Sequence, residues 1–219
     1  MVAQVPFGTQ SFAENPDPRC ACVLLLDTSG SMAGEKIRQL NLGIKTLKDE
    51  LMGDPLAQRR VELAVITFGP VAQVVDFQTA DQFQPPELKA NGDTPMGAAI
   101  ERAVEIVRQR KDVFKQNGVA YYRPWIFMIT DGEPTDAFDK AKSLIREGET
   151  SSAFAFFAVG VGSANMDKLK EISHREPLLL NGLAFRELFQ WLSTSMKSVS
   201  HSKSGTEVRL PSPSGWTSV

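Results

Sequence analysis

The fold of this chain is decided by the stretch VLLLDTSGSM at residues 23–32, where an apolar run ends in small polar residues. An unbroken apolar run is typical of a strand that is buried on both faces, and such strands occur in parallel sheets covered by helices. The polar residues that follow include Asp27, Ser29 and Ser31 at alternate positions. The end of this strand is therefore a candidate ligand site.

Similar apolar runs recur along the chain and alternate with segments of helical periodicity. The predicted strands span residues 20–26, 61–68, 71–77, 125–130, 153–159 and 177–180. Between them, apolar residues recur at intervals of three and four, as in Ile37, Leu40, Ile44, Leu47 and Leu51. This alternation predicts an α/β fold with a central, mostly parallel six-stranded sheet and helices on both faces.

The connections refine this prediction. Only Gly69 and Pro70 separate the second and third runs, which is too short for a crossover, so we expect a hairpin that leaves one antiparallel strand at an edge. A last helix is predicted over residues 184–200. The folded domain is then residues 20–200, with an extension at 1–19 and a tail rich in Ser and Pro at 201–219.

Composition and charge exclude several classes of function. The 219 residues are 42% hydrophobic and 23% charged, as in an ordinary globular protein. A net charge of -2, with Lys and Arg spread along the chain, argues against a nucleic-acid partner. No segment approaches the roughly 20 apolar residues of a membrane span, and the first residues lack a signal-peptide pattern, so we expect no membrane association and a cytoplasmic location.

The two cysteines are predicted to be buried thiols. Cys20 and Cys22 lie two apart on a strand, where side chains share a face without the geometry that a disulfide prefers. They are too few for a zinc site, and His174 and His201 are remote in sequence.

Three polar clusters are expected to meet at one edge of the sheet, because the carboxyl ends of parallel strands converge there. DTSGS follows the first strand, GDTPMG at residues 92–97 precedes a helix, and TDGEPTD at residues 130–136 begins at the end of the fourth strand run. The candidate metal ligands are Asp27, Ser29, Ser31, Thr94 and Asp131. Because all five offer oxygen, the sequence predicts a hard divalent cation, Mg²⁺ first, with Mn²⁺ or Ca²⁺ as alternatives.

Simpler explanations exist for parts of this pattern. Asp and Ser favour helix caps and turns, and Thr94 followed by Pro95 is a good cap and first helical residue. We expect Asp93, Glu133 and Asp136 to cap helices or lie in solvated loops. The methionines near the clusters, at positions 32, 96 and 128, are predicted to pack in the core.

The ordered set DTSGS, the Thr of GDTPMG and the Asp of TDG resembles the metal-ion-dependent adhesion site of von Willebrand factor type A (VWA) domains, with all five positions filled. The resemblance covers about residues 20–200. LLLDTSGSMAGEKI and YYRPWIFMITDGEPTD are most similar to bacterial TerY-like proteins of tellurium-resistance and stress operons. The resemblance implies a Rossmann-like fold, bound magnesium and a role in protein assembly. It also implies kinases and phosphatases encoded beside this chain as candidate partners.

The main functional hypothesis is a binding module that is not an enzyme. An Asp or Glu of a partner protein completes the coordination of its metal ion. One alternative is a structural subunit in which the metal only ties loops together. Another is a magnesium-dependent phosphotransferase, although Ser29 stands where such enzymes carry a second Asp, and we assign no catalytic residue. Serines at positions 200, 202, 204, 212 and 214 are candidate phosphate acceptors in the tail.

Overall fold

The computed structural model describes Phe12, residues 15–213 and residues 216–218. Most of the predicted extension at residues 1–19 therefore lies outside the described residues. Within them, the chain forms a sheet with helices on both faces, so the predicted fold class is confirmed.

The strands of the described residues form one seven-stranded sheet in the order β3-β2-β1-β4-β5-β6-β7. They are β1 (Cys20–Asp27), β2 (Val61–Phe68), β3 (Ala72–Thr79), β4 (Trp125–Thr130), β5 (Ala155–Val161), β6 (Leu178–Leu180) and β7 (Thr217–Ser218). β1 pairs in parallel with both β2 and β4, and the parallel pairing continues through β5 to β6. β3 is antiparallel to β2, as the short connection predicted.

The six predicted strands are all present, and none of their ends differs from the prediction by more than two residues. β5 begins two residues later than predicted because the Ala153 amide still donates to the Gly148 carbonyl oxygen, at 2.8 Å, in the turn that ends the preceding helix. The sequence pattern did not predict β7, which comes from the tail and pairs antiparallel with β6.

The helices divide between the two faces of the sheet. In the described part of the chain they are α1 (Glu35–Met52), α2 (Ala57–Arg60), α3 (Met96–Gln116), α4 (Asp139–Thr150), α5 (Met166–Ile172) and α6 (Phe185–His201), with a 3₁₀ turn at Gly30–Met32. Leu24 and Leu26 of β1 face the core under α1 and α6, whereas Val23 and Leu25 face the core under α3, α4 and α5. This alternation along β1 creates two apolar cores, one on each face.

The last helix and the cysteines agree with their predictions. α6 is one residue displaced at each end from the predicted 184–200, and it buries Phe185, Leu188, Phe189, Leu192 and Met196. Cys20 and Cys22 are free thiols, fully buried in one core. Among the helices of the described part of the chain, none has the length and apolar character needed to cross a membrane.

The tail packs against the domain where it is described. The Trp216 side chain is 1% exposed and lies 5.4 Å, ring to ring, from Trp191 of α6. Ser200 is buried in the last turn of α6, so it is not an accessible phosphate acceptor in this fold. Ser202 and Ser204 donate to backbone oxygens and Ser212 is exposed, whereas Ser214 lies outside the described residues.

Candidate metal centre

Three loops meet at the carboxyl ends of β1, β2 and β4. β1 and β4 are direct neighbours, with Leu26 opposite Ile129, so Asp27 and Asp131 leave the sheet side by side. The loop that contains Thr94 is tied to the first loop by two backbone hydrogen bonds: Asn91 N donates to Thr28 O at 2.7 Å, and Gly30 N donates to Gly92 O at 2.9 Å. The topology thus brings the three predicted clusters together.

Close approach of these loops depends on glycine at position 69. A Cβ on Gly69 would lie 2.4 Å from the Asn91 carbonyl oxygen and 2.6 Å from that of Thr28. Both distances are shorter than van der Waals contact, so any side chain here would push the loops apart. The turn between β2 and β3 therefore also shapes the candidate site.

Four of the five predicted residues form one chain of hydrogen bonds. The Ser29 amide donates to Asp27 Oδ1 at 2.8 Å. The Ser29 and Ser31 hydroxyl oxygens are 2.9 Å apart, and Ser31 Oγ donates to Asp131 Oδ1 at 2.6 Å. The alternate spacing of Asp27, Ser29 and Ser31 thus places all three polar groups on one side of the turn.

Thr94 reaches the same point from the third loop. An ideal Cβ on Gly132 would lie 3.2 Å from Thr94 Oγ1 and 3.7 Å from Asp27 Oδ2, so both oxygens border the Gly132 backbone. Thr135 fixes the Thr94 backbone, because its hydroxyl accepts from Thr94 N at 3.1 Å and its amide donates to Thr94 O at 2.9 Å. The Thr94 hydroxyl itself makes no hydrogen bond to the described part of the chain.

Asp27 is a buried carboxylate with an altered proton affinity. It is 0% exposed, and this burial raises its pKa above the ordinary value, as does the negative charge of Asp131. Hydrogen bonds from Ser29 and from the Thr130 hydroxyl, which donates to Asp27 Oδ2 at 2.5 Å, oppose this rise. Two adjacent acidic groups with little access to water create a site where a cation is strongly favoured.

Two residues of the site were not predicted from the sequence. Thr130 holds Asp27 as described and also accepts a hydrogen bond from Gly132 N at 3.1 Å. Lys36, in the first turn of α1, forms an ion pair with Asp131 Oδ2. The available signals were the hydroxyl residue directly before Asp131 and the Lys five positions after Ser31, but neither pattern is specific.

The capping explanation holds for Asp136 and not for Thr94. The Asp136 carboxylate accepts from Gly97 N at 2.9 Å and from Ala98 N at 2.8 Å, so it caps α3 from the loop after β4. The cap position of α3 is Pro95, one residue later than predicted, and the free amides of the first turn are bound by Asp136 and not by the Thr94 hydroxyl. Glu133 accepts from Asn165, and Asp93 is exposed.

The donor set fits a small, hard cation. Two ligands at right angles and about 2.1 Å from Mg²⁺ are about 3.0 Å apart, close to the 2.9 Å between the Ser29 and Ser31 hydroxyl oxygens. Across the described residues, no group of three or more His, Cys, Asp and Glu side chains is arranged to hold a metal. A metal at this edge of the sheet would therefore depend on the hydroxyl groups as well as the carboxylates.

Comparison with known families and structures gives a consistent fold. A family model described as von Willebrand factor type A domain matches residues 22–187. The pilus adhesin SpaC from Lactobacillus rhamnosus GG, in an open conformation, is similar with a TM-score of 0.68 and 12% sequence identity. Comparison with curated protein sequences returns no significant match.

Two further structures extend the likeness. Proximal thread matrix protein 1 from the mussel byssus, in a structure with a zinc-occupied MIDAS motif, has a TM-score of 0.56 and 18% identity over 85% of this chain and 47% of its own. The ArnB paralog VWA2 from Sulfolobus acidocaldarius has a TM-score of 0.53 and 18% identity, over 81% of this chain and 45% of its own. The adhesin match covers 83% of this chain and 30% of the adhesin. This chain thus spans less than half of each of these three proteins.

Proposed function

The chain belongs to the von Willebrand factor type A domain family, and from that premise we propose that it is a metal-dependent protein-binding module. The proposed ion ligands, direct or through water, are Asp27, Ser29, Ser31, Thr94 and Asp131. The observation that carries the proposal is the convergence of these residues from three loops, joined by the hydrogen bonds from Asp27 to Asp131.

The partner would supply a carboxylate to the ion. Only two of the five ligands are charged, and one of them, Asp131, also pairs with Lys36, so with a divalent ion bound the two carboxylates face three positive charges. Ser31 is exposed, which places one ligand at the surface where a partner can reach it. An Asp or Glu side chain from another protein suits this position, because charge-assisted contacts are strong where water is partly excluded.

Mg²⁺ is the proposed ion, with Mn²⁺ and Ca²⁺ as alternatives of the same chemical class. The zinc-occupied motif of the mussel protein makes Zn²⁺ a necessary comparison in any binding experiment. We propose no enzymatic role. In the structural alternative the ion only ties the loops together. Measuring both partner affinity and stability, with and without metal, distinguishes this alternative from a metal-dependent binding role.

Thr94→Val tests the metal site with little disturbance of the fold. The Thr94 side chain is buried, and valine replaces its hydroxyl by a methyl group of similar size. We expect Mg²⁺ affinity, measured by titration calorimetry on the full chain, to fall about tenfold, an energy of about 1.4 kcal/mol. Thr67→Val, at the end of β2, is the matched control because the Thr67 hydroxyl makes only a weak 3.5 Å hydrogen bond.

Partner capture tests the binding role directly. Immobilised wild-type protein and Thr94→Val are exposed to a lysate of the native host in Mg²⁺ and then in chelator. We expect the wild type to retain a partner protein only when metal is present. Binding of this partner should be lost when one of its acidic residues is replaced. A partner that stays bound in chelator, while Mg²⁺ still raises the melting temperature, would favour the structural role instead.

The cellular setting is also a proposal. The two segments that resemble TerY-like proteins support a cytoplasmic role in a bacterial complex of the tellurium-resistance or stress-response kind. Genes for kinases and phosphatases beside the gene for this chain would agree with that setting, and neighbours of unrelated function would count against it.

A further inference from the structure

Lys36 occupies an unusual position for a cation. It is the second residue of α1, where the helix dipole disfavours positive charge. Its stem lies near the loop after β5, since a Cβ on Gly162 would be 3.8 Å from Lys36 Cε. The side chain thus extends away from its own helix towards the ends of β4 and β5, which indicates that the ammonium group has a specific partner.

That partner is the candidate metal ligand Asp131. The ammonium group donates to Asp131 Oδ2 and, at 3.2 Å, to the backbone oxygen of Ser31. The Asp131 side chain is 0% exposed and that of Lys36 is 28% exposed, so the pair lies between the buried site and the surface. In the described part of the chain, no other basic side chain pairs with Asp27 or Asp131.

Both oxygens of Asp131 are already engaged. Oδ1 accepts from the Ser31 hydroxyl at 2.6 Å, and Oδ2 accepts from Lys36. A divalent ion that uses Asp131, directly or through water, therefore shares this carboxylate with the ammonium group. Two positive charges a few ångströms apart in a partly desolvated site repel each other strongly, because the effective dielectric constant there is low.

We propose that Lys36 is an internal cation that competes with the divalent metal for Asp131 and so sets the metal affinity of the site. This inference rests on the proposed function of the same site. Without a divalent ion, Lys36 stabilises the buried Asp131 carboxylate. With the ion present, the contact is weakened, so metal binding has to displace or repel the ammonium group.

The test is titration calorimetry of the full chain with MgCl₂, comparing wild type, Lys36→Met and Lys36→Arg. Methionine keeps the length of the apolar stem and removes the charge, so we expect Lys36→Met to bind Mg²⁺ about tenfold more tightly than wild type. Arginine keeps the charge, and its affinity should stay near that of wild type. Lys45→Met, which removes a charge from an exposed position of the same helix, is the control for net charge and should leave the affinity unchanged.

Thermal melting gives a second readout. Without metal, Lys36→Met should melt below wild type, because Asp131 loses its ion partner. Saturating Mg²⁺ should raise the melting temperature of the variant more than that of wild type, as tighter binding requires.

Equal or weaker Mg²⁺ affinity in Lys36→Met would overturn competition and show that Lys36 only positions Asp131. If neither wild type nor Lys36→Met binds any divalent ion, the proposed function fails as well. If wild type binds Mg²⁺ and Lys36→Met binds it no more tightly, only this inference fails.

Discussion

At the scale of single residues, Thr130 supports the candidate site without being one of its proposed ligands. Its hydroxyl donates to Asp27 Oδ2 at 2.5 Å and accepts from Gly132 N at 3.1 Å, and the residue is fully buried. Thr130→Val leaves both groups without this partner, so we expect a loss of about 1–3 kcal/mol in the free energy of unfolding. Urea denaturation of the metal-free protein measures it.

The control for this substitution is Thr67→Val, which removes a hydroxyl with one 3.5 Å hydrogen bond and should change stability by less than about 0.5 kcal/mol. Thr130→Val should also weaken Mg²⁺ binding, because Asp27 is no longer held in place. Equal stability of the two variants would mean that the Thr130 hydrogen bonds contribute little.

The sequence predicted which residues meet, and it did so for a topological reason. Asp27 and Asp131 follow strands that had to be parallel, and the ends of adjacent parallel strands converge. Thr130 and Lys36 escaped prediction because their roles depend on side-chain orientation and on distances between loops. A hydroxyl before an Asp, or a Lys early in a helix, is too common in sequences to indicate such contacts.

At the scale of elements, α1 and α6 pack closely at Gly43. A Cβ at this position would lie 2.3 Å from Cδ2 of Phe189, whose ring is fully buried in the core. Gly43→Ala gains helix propensity of about 1 kcal/mol, but separating the helices or moving the ring costs about 1–3 kcal/mol. We expect a net loss of stability, measured by urea denaturation, whereas a more stable variant would show that the two helices adjust freely.

Gly53→Ala is the matched control at the end of the same helix. Gly53 has a right-handed backbone with φ of -70°, and a Cβ there would meet its nearest atom, the Glu50 oxygen, at 3.4 Å. Alanine fits this conformation, so its effect on stability should be small, within about 0.5 kcal/mol.

Glu149 links three elements through its charge. It accepts from Arg123, which precedes β4, from Arg175, which precedes β6, and from the Phe156 amide of β5. Burial by itself raises the pKa of Glu149, but the Arg175 hydrogen bonds, the Phe156 amide and the two arginine charges outweigh it, so the pKa lies below the ordinary value of 4.5. Its ionised form therefore stabilises the fold above about pH 4.5, and this stabilisation is lost as pH falls through the lowered pKa.

Glu149→Gln should therefore cost about 3 kcal/mol of stability at pH 7, because two arginines lose a buried partner. The difference from wild type should shrink as pH falls below about 4.5. Denaturation at a series of pH values tests both statements. Glu105→Gln, which removes an exposed pair with Arg102, should show little effect at any pH, and a parallel response of the two variants would refute the assigned role.

The sequence determined the elements wherever apolar periodicity was strong. β1 and β4 read as apolar runs and β2 as an apolar run interrupted by Glu62 and Thr67, and their predicted positions agree with the structure within one residue. The start of β5 was misplaced because Ala153 and Phe154 are apolar without belonging to the strand: Ala153 ends the turn after α4, and Phe154 packs in the core. Hydrophobicity reports burial, and burial alone does not separate a strand from the turn before it.

At the scale of the whole molecule, the tail completes the sheet that the domain begins. The Asn181 amide donates to the Trp216 carbonyl oxygen at 2.8 Å, and Trp191 Nε1 donates to the Pro211 oxygen at 3.0 Å. The segment thus crosses α6 and reaches the edge of β6. A strand of two residues has no periodicity, so the Ser and Pro content of this segment predicted only a tail. Its apolar residues Val208, Leu210 and Trp216, which pack against the core, were the available signs of burial.

Trp216 tests whether the tail and the domain unfold as one unit. Its side chain is 1% exposed, and within the described residues its indole Nε1 has no hydrogen-bond partner. Trp216→Phe loses part of the buried ring but also removes this unpaired donor, so the free energy of unfolding should fall by only about 1 kcal/mol. Trp216→Ala loses the whole ring and should lower it by about 3–5 kcal/mol. Urea denaturation followed by far-UV circular dichroism measures both. Because a docked tail contributes to global stability, the midpoint for the whole helical signal should fall in Trp216→Ala, and an unchanged midpoint would mean that the tail opens independently of the two cores.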